Sequence, residues 1–200
     1  MSDPAAPSCT AFAGTHRLAG GPILAVALAV KTALAKDPQA AILTFDDTTG
    51  AVVDFDLRGS TEDIAARLGE RFPGSRAASP AESETPRGPG RPKLGVIARE
   101  VTLLPRHWEW LATQRGGASP ALRRLVDEAR RADGGASTAR ARRDAAYRFM
   151  SAMAGDLTGF EEATRALFAP DETRFREHSA AWPADIRGHV RKLAWGERAA

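Results

Sequence analysis

Arginine is the residue with which this chain could recognise a ligand, and it is concentrated in the middle of the sequence. Residues 86–143 carry 13 Lys/Arg and 5 Asp/Glu, whereas residues 1–85 carry 7 and 11, and residues 144–200 carry 8 and 9. Because guanidinium groups bind phosphate and guanine through paired hydrogen bonds, this distribution favours a nucleic-acid partner. A GC-rich coding sequence is an alternative source of the arginines.

One predicted strand and two predicted helices position this basic stretch. Alternation predicts a strand that ends at Pro105, with Ile97, Val101 and Leu103 inward and Ala98, Glu100 and Thr102 outward. Helices are predicted over residues 106–114 and 121–131, with the glycine pair Gly116-Gly117 between them. Ser119 and Pro120 are typical of the N-cap and first position of the second helix. The predicted inward residues of the two helices are Trp108, Leu111 and Ala112, then Leu122, Leu125, Val126 and Ala129.

This order resembles the ribbon-helix-helix superfamily of DNA-binding proteins over residues 97–131. The resemblance implies a homodimer whose paired strands lie in the major groove of double-stranded DNA. It implies that Thr102 contacts bases and that Ser119, with the amides after it, binds a phosphate. Glu100 departs from the family's pattern, since a carboxylate accepts only from cytosine N4. Further expected DNA contacts are Arg99, Arg123 and Arg124. An ordinary α+β packing unit with a solvated basic face is the alternative.

Residues 86–93 are similar to an AT-hook, a basic peptide that binds the minor groove of A·T-rich DNA. Only residues 90–93 match, because Pro89 stands where the first arginine of the core belongs. The resemblance implies DNA contacts by Arg87, Arg91 and Lys93. The alternative is a basic linker rich in proline and glycine.

The remaining pattern predicts an α+β chain of five parts. They are a disordered tail (1–9), a small sandwich-like α+β domain (10–72), a flexible basic linker (73–95), the ribbon-helix-helix-like module (96–131) and a helical carboxy-terminal region (139–200).

Within these parts, the pattern predicts a strand from Thr10, a helix that ends near Lys36, and a hairpin of residues 41–45 and 51–57. Ser60 or Thr61 is expected to cap a helix that ends near Phe72. Helices are also predicted over residues 139–154 and 157–168 and from about residue 182, with a break over residues 132–138.

Several classes of function are disfavoured by the composition. The single cysteine, Cys9, excludes an intrachain disulfide and indicates a reducing, cytoplasmic setting. No apolar run approaches the roughly 20 residues of a membrane span. The aspartates of residues 46–56 could bind Mg²⁺ or Ca²⁺, but they are typical of a turn and the wet face of a strand. We therefore expect no enzyme activity, cofactor or metal.

The whole chain also resembles an uncharacterised bacterial family, notably in residues 45–47, 54–59, 90–95 and 147–156. That resemblance implies no activity. The sequence predicts a homodimeric DNA-binding protein, a bacterial transcriptional regulator whose amino- and carboxy-terminal regions serve oligomerisation, effector sensing or a protein partner. The alternative is an antitoxin-like protein-interaction module in which the ribbon serves dimerisation only. A ligand- or metal-dependent enzyme in the first domain is a third possibility.

Overall fold

The computed structural model describes residues 7–72 and 99–196. The chain divides into two compact units, unit 1 (residues 1–79 and 137–200) and unit 2 (residues 80–136). The described ranges contain a three-stranded antiparallel sheet and eight helices, which confirms a mixed α+β fold. In chain order the elements are β1 (Ser8–Ala13), β2 (His16–Pro22), α1 (Ile23–Lys36), β3 (Ile42–Asp46), α2 (Thr61–Arg71), α3 (Pro105–Ala112), α4 (Ala118–Asp133), α5 (Ala136–Ala154), α6 (Phe160–Phe168), α7 (Glu172–His178) and α8 (Ala184–Trp195).

The central strand of the sheet is β1, which pairs with β2 on one side and β3 on the other. Its residues from Cys9 to Phe12 are all buried. Successive side chains of a strand point to opposite faces of the sheet, and in β1 each face is covered by a different core. Cys9 and Ala11 pack with α1 and α2, whereas Phe12 packs with the carboxy-terminal helices. The central strand is therefore covered on both faces.

The first core is formed by the sheet with α1 and α2, both close to their predicted positions. Ile64 and Leu68 of α2 pack with apolar residues of α1 such as Val26. A capping box starts α2: the Ser60 hydroxyl accepts from the Asp63 amide at 3.2 Å, and the Asp63 carboxylate accepts from the Ser60 amide at 2.8 Å. The predicted cap at Ser60 is confirmed, because a serine followed by an acid three residues later satisfies two amides at once.

The second core contains Phe12 and Phe45 from the sheet and Phe149 from α5, with ring centroids 4.8–6.2 Å apart. Apolar residues of α6, α7 and α8 complete it. Residues 10–72 and 139–200, which the sequence analysis separated, therefore share one core. The contacts join positions more than 100 residues apart, and no local pattern indicates them.

Several predicted boundaries in unit 1 need correction. The strand expected from Thr10 begins at Ser8, inside the predicted tail, and β2 was missed because Gly20-Gly21 resembles a turn. Residues 51–57 form no second hairpin strand; only Val52 makes a bridge, to Phe45.

The helical boundaries also differ from the prediction. The break predicted over residues 132–138 consists only of Gly134 and Gly135, and α5 begins at Ala136 rather than residue 139. Helix α6 begins at Phe160 rather than residue 157, and α7 was missed. Within the described ranges, none of the helices combines the length and apolarity needed to cross a membrane.

Candidate interaction surface

In the part that the structure describes, unit 2 is a helical hairpin of α3 and α4 preceded by residues 99–104. Pro105 occupies the start of α3, as predicted, since its missing amide donor has no partner to lose there. Gly116 and Gly117 adopt φ of +86° and +80°, and the Gly117 amide donates to the Gln114 carbonyl at 2.9 Å. The glycine pair thus makes the predicted corner between two helices.

Residues 99–104 form no strand. A strand needs a partner to receive its backbone hydrogen bonds, and the single chain offers none to this segment in its described residues. Arg99, Glu100 and Thr102 are exposed in this extended approach to α3. Within the described residues of one chain, residues 99–104 therefore give no evidence of the expected ribbon.

The predicted cap at Ser119 is wrong. Helix α4 begins at Ala118 with Gly117 as its N-cap, so Ser119 lies inside the first turn, and its side chain caps no amide. The positive φ of Gly117 lets the helix start two residues early, and Pro120 is tolerated because the first turn needs no amide donors. The Ser119 carbonyl instead accepts from Arg123 Nε at 3.2 Å.

Apolar side chains in unit 2 are mostly in contact with solvent. Among its described residues, only Leu111 and Ala121 are buried hydrophobics. Six larger ones are between 38% and 55% exposed: Val101, Leu104, Trp108, Trp110, Leu125 and Val126. Such a concentration of exposed apolar surface in a hairpin of two helices is typical of an interaction site.

The apolar surface includes a groove between α3 and α4. Its volume is about 270 Å³, and its lining residues are Leu103, His107, Trp110, Leu111, Leu122 and Leu125. Leu111, Leu122 and Leu125 belong to the predicted stripes, but Trp108 faces solvent and Trp110 lines the groove. The spacing of Leu103, His107, Trp110 and Leu111 at three- and four-residue steps would have indicated the correct face of α3.

Arginines are also exposed in the described residues of unit 2. Seven arginines and five acidic residues lie in residues 99–136, and all seven arginines are exposed. Arg124 approaches Gln114 Oε1 at 3.5 Å and Glu128 at 3.8 Å. The other predicted contacts, Arg87, Arg91 and Lys93, lie outside the described residues, as do the whole predicted linker and the AT-hook-like segment.

Unit 1 contains a buried polar cluster that the sequence analysis missed. The Asp47 carboxylate accepts hydrogen bonds from Thr10 Oγ1 at 2.7 Å and from Ser8 Oγ at 3.2 Å. His189 Nε2 lies 3.7 Å from the same carboxylate, and Lys192 Nζ lies 3.9 Å from it. Because these residues come from β1, the turn after β3 and α8, no local spacing could have indicated the cluster.

The imidazole of His189 is held in an apolar setting beside that carboxylate. Its side chain is 2% exposed, its ring packs on Phe12 and Phe149, and Nε2 has no hydrogen-bond partner among the described residues. Burial lowers the pKa of His189 to about 4, more than nearby Asp47 raises it. The cluster lacks a third metal ligand, since the described residues contain no group of three or more metal-binding side chains. The cluster joins β1 and the turn after β3 to α8 through polar contacts.

Comparison with known proteins places the chain in a family. No curated protein and no solved structure matches it. One family model, described as an uncharacterised protein conserved in bacteria (DUF2239), matches residues 8–194 and so includes both units. The chain belongs to that bacterial family.

Proposed function

We propose that the protein is a homodimeric, DNA-binding transcriptional regulator that associates and binds DNA through unit 2. The observation that carries the proposal is that exposed apolar residues and exposed arginines occur together on one small helical hairpin. The two features correspond to the two tasks of such a protein, which must pair with a copy of itself and attract a polyanion.

Dimerisation is supported by the poor burial within unit 2. A second copy that packed on α3 and α4 would cover the exposed side chains of Trp108, Trp110 and Val126. Residues 99–104 would then lie beside their symmetry mates and could pair as an antiparallel ribbon, as in the ribbon-helix-helix arrangement. Pairing of this kind supplies the strand partner that a single chain lacks.

DNA binding is supported by the arginines of α4. Arg123 and Arg130 are seven residues apart, and so are Arg124 and Arg131, so each pair repeats after about two helical turns on one side of the helix. All four are exposed. Arginines in this arrangement can contact successive backbone phosphates, while Thr102 on the proposed ribbon would contact bases.

The test is binding of the full chain to duplex DNA across a salt series. With 6–10 phosphate contacts, affinity should fall by roughly 10³–10⁵ between 50 and 200 mM salt. The double variant Arg130→Gln/Arg131→Gln should reduce the slope of log K against log salt by about 2. Arg165→Gln, which removes an exposed arginine of α6 paired with Glu162, is the matched control and should leave the slope unchanged. A salt-independent affinity would reject the proposal.

A protein-interaction module is the second candidate, and the apolar groove and Glu100 favour it. The groove is lined almost entirely by apolar side chains, and Glu100 is exposed at a position where a DNA-binding ribbon would face bases, from which a carboxylate accepts only at cytosine N4. A chain that forms dimers but binds no duplex DNA at 50 mM salt would support this candidate. Thr102→Ala separates the two further, because only a base-reading ribbon loses sequence preference when that hydroxyl is removed.

A further inference from the structure

A second basic site lies in unit 1, between α7 and α8. The cleft has a volume of about 560 Å³, and its lining residues are Thr173, Arg176, Glu177, Arg187 and Arg191. This volume is in the range of sites that hold small organic ligands. Three arginines and one threonine therefore line a space large enough for a phosphorylated compound.

Two of the three arginines are held in place by neighbouring groups. Arg191 donates from Nε and Nη2 to Glu172 Oε1, at 3.1 and 2.7 Å, and Arg187 donates from Nη1 to the Ala180 carbonyl at 2.8 Å. Fixed guanidinium groups lose little side-chain entropy when they bind an anion. The side chains of α8 thus form a preorganised wall of the cleft.

The third arginine, Arg176, is exposed on α7 and makes no hydrogen bond or ion pair with any described residue. Glu172 is paired with Arg191, and the negative charge of Glu177 offsets the positive charge of a second arginine. The positive charge of the third arginine remains at the cleft. Because like charges that line one space repel each other, an anion between them is stabilising. Paired N–H donors favour phosphate, and Thr173 is a further lining residue with a hydroxyl group that can donate.

We propose that the α7–α8 cleft binds a phosphate group, with Arg176, Arg187 and Arg191 as its donors. The phosphate belongs either to a small phosphorylated compound or to a nucleic-acid backbone. The negative charge of Glu177 repels the anion and therefore limits the affinity of the site. This site is separate in sequence from the arginines of α4 and does not depend on the function proposed for unit 2.

The experiment is calorimetric titration of the full chain, in a phosphate-free buffer, with inorganic phosphate, a nucleoside monophosphate and a short DNA duplex. Arg176→Gln should weaken binding of the phosphate-bearing probe by roughly tenfold or more, because one charge-assisted hydrogen bond is lost. Glu177→Gln should tighten it, since a repelling charge is removed. Arg165→Gln on α6 changes charge equally and should have no effect.

The three probes identify the source of the phosphate. An Arg176 effect on the mononucleotide indicates a small phosphorylated ligand, whereas an effect on the duplex alone indicates a nucleic-acid backbone. If no probe binds, or if Arg176→Gln and Arg165→Gln weaken binding equally, the site is rejected. Failure of the unit 2 proposal would show instead in Arg130→Gln/Arg131→Gln, so the two outcomes are distinguishable.

Discussion

The two units bury their large apolar side chains to very different extents. In unit 1 the rings of Phe12, Phe45, Phe149 and Phe175 are fully buried. In unit 2 the indoles of Trp108 and Trp110 are more than two-fifths exposed. Aromatic residues contribute most to a core when they are desolvated. Unit 1 therefore encloses these four rings in its own core, whereas unit 2 leaves its two indoles largely open to solvent.

The largest expected difference between the two units is the loss of stability when one aromatic residue in each is replaced by alanine. Phe149→Ala should lower the free energy of unfolding by about 3–5 kcal/mol, because the ring contacts Phe12, Phe45 and His189 in a closed core. Urea unfolding monitored by circular dichroism measures this loss. Trp108→Ala in unit 2, measured at a concentration where the chain is monomeric, should change the same quantity by no more than about 0.5 kcal/mol. Equal losses would contradict the account.

Two glycines with positive φ test how tightly each unit is packed. Gly50 has φ of +68°, and a Cβ there would collide with the backbone carbonyl of Ala145, so Gly50→Ala should cost about 2–5 kcal/mol. Gly117 has φ of +80° and ψ of −170°, a conformation nearly restricted to glycine, but a Cβ would meet no described atom within 4 Å, so Gly117→Ala should cost about 1–3 kcal/mol. Urea midpoints of the two variants give the difference, and a larger loss for Gly117→Ala would contradict it.

The buried histidine of unit 1 predicts a pH dependence of stability. The pKa of His189 is lowered from 6.5 to about 4 in the folded chain, so the unfolded chain takes up a proton first as the pH falls. The contribution of His189 is fully present above pH 6.5 and decreases down to about pH 4, by at most roughly 3 kcal/mol.

Unfolding of the wild type and His189→Gln between pH 7 and pH 4 measures this contribution. The difference between their stabilities should shrink as the pH is lowered, because only the wild type carries the buried imidazole. His178→Gln, at an exposed position of α7, is the control and should keep the pH dependence of the wild type. If the free energies of unfolding of the wild type and His189→Gln change in parallel with pH, the buried neutral imidazole is not the cause of the pH dependence.

The smallest expected difference concerns two serines at helix starts. Ser60→Ala removes the capping hydroxyl of α2 and should cost about 1 kcal/mol. Ser119→Ala removes a hydroxyl that caps no amide of α4, and should change stability by no more than about 0.5 kcal/mol. Thermal unfolding of both variants provides the comparison, and a full-sized loss at Ser119 would restore the predicted cap.

Local signals in the sequence predicted local structure well. Ser60 was one of two residues expected to cap α2, and Pro105 and the Gly116-Gly117 pair marked the start of α3 and the corner between α3 and α4. Each signal acts within four residues, where backbone sterics and one or two hydrogen bonds decide the conformation. The α+β class followed from the same kind of pattern.

Long-range contacts were outside the reach of such signals. Phe12, Phe45 and Phe149 share a core across more than 100 residues, and Ser8, Asp47 and His189 meet in one polar cluster. Their neighbours in sequence give no sign of either meeting. The strand predicted before Pro105 does not form in residues 99–104 for a related reason. Alternating apolar residues indicate that a segment can pair as a strand, but they do not indicate which segment would be its partner.

Sedimentation equilibrium of the full chain, over a wide range of concentrations, tests the central claim that the apolar surface of unit 2 associates with a second copy. The wild type should approach twice the chain mass of 21.3 kDa. Trp108→Asp/Val126→Asp, which places two charges on that surface, should return to the mass of one chain while keeping the circular dichroism of the wild type. A wild type that remains monomeric at every concentration, or a double variant that still dimerises, would contradict the account.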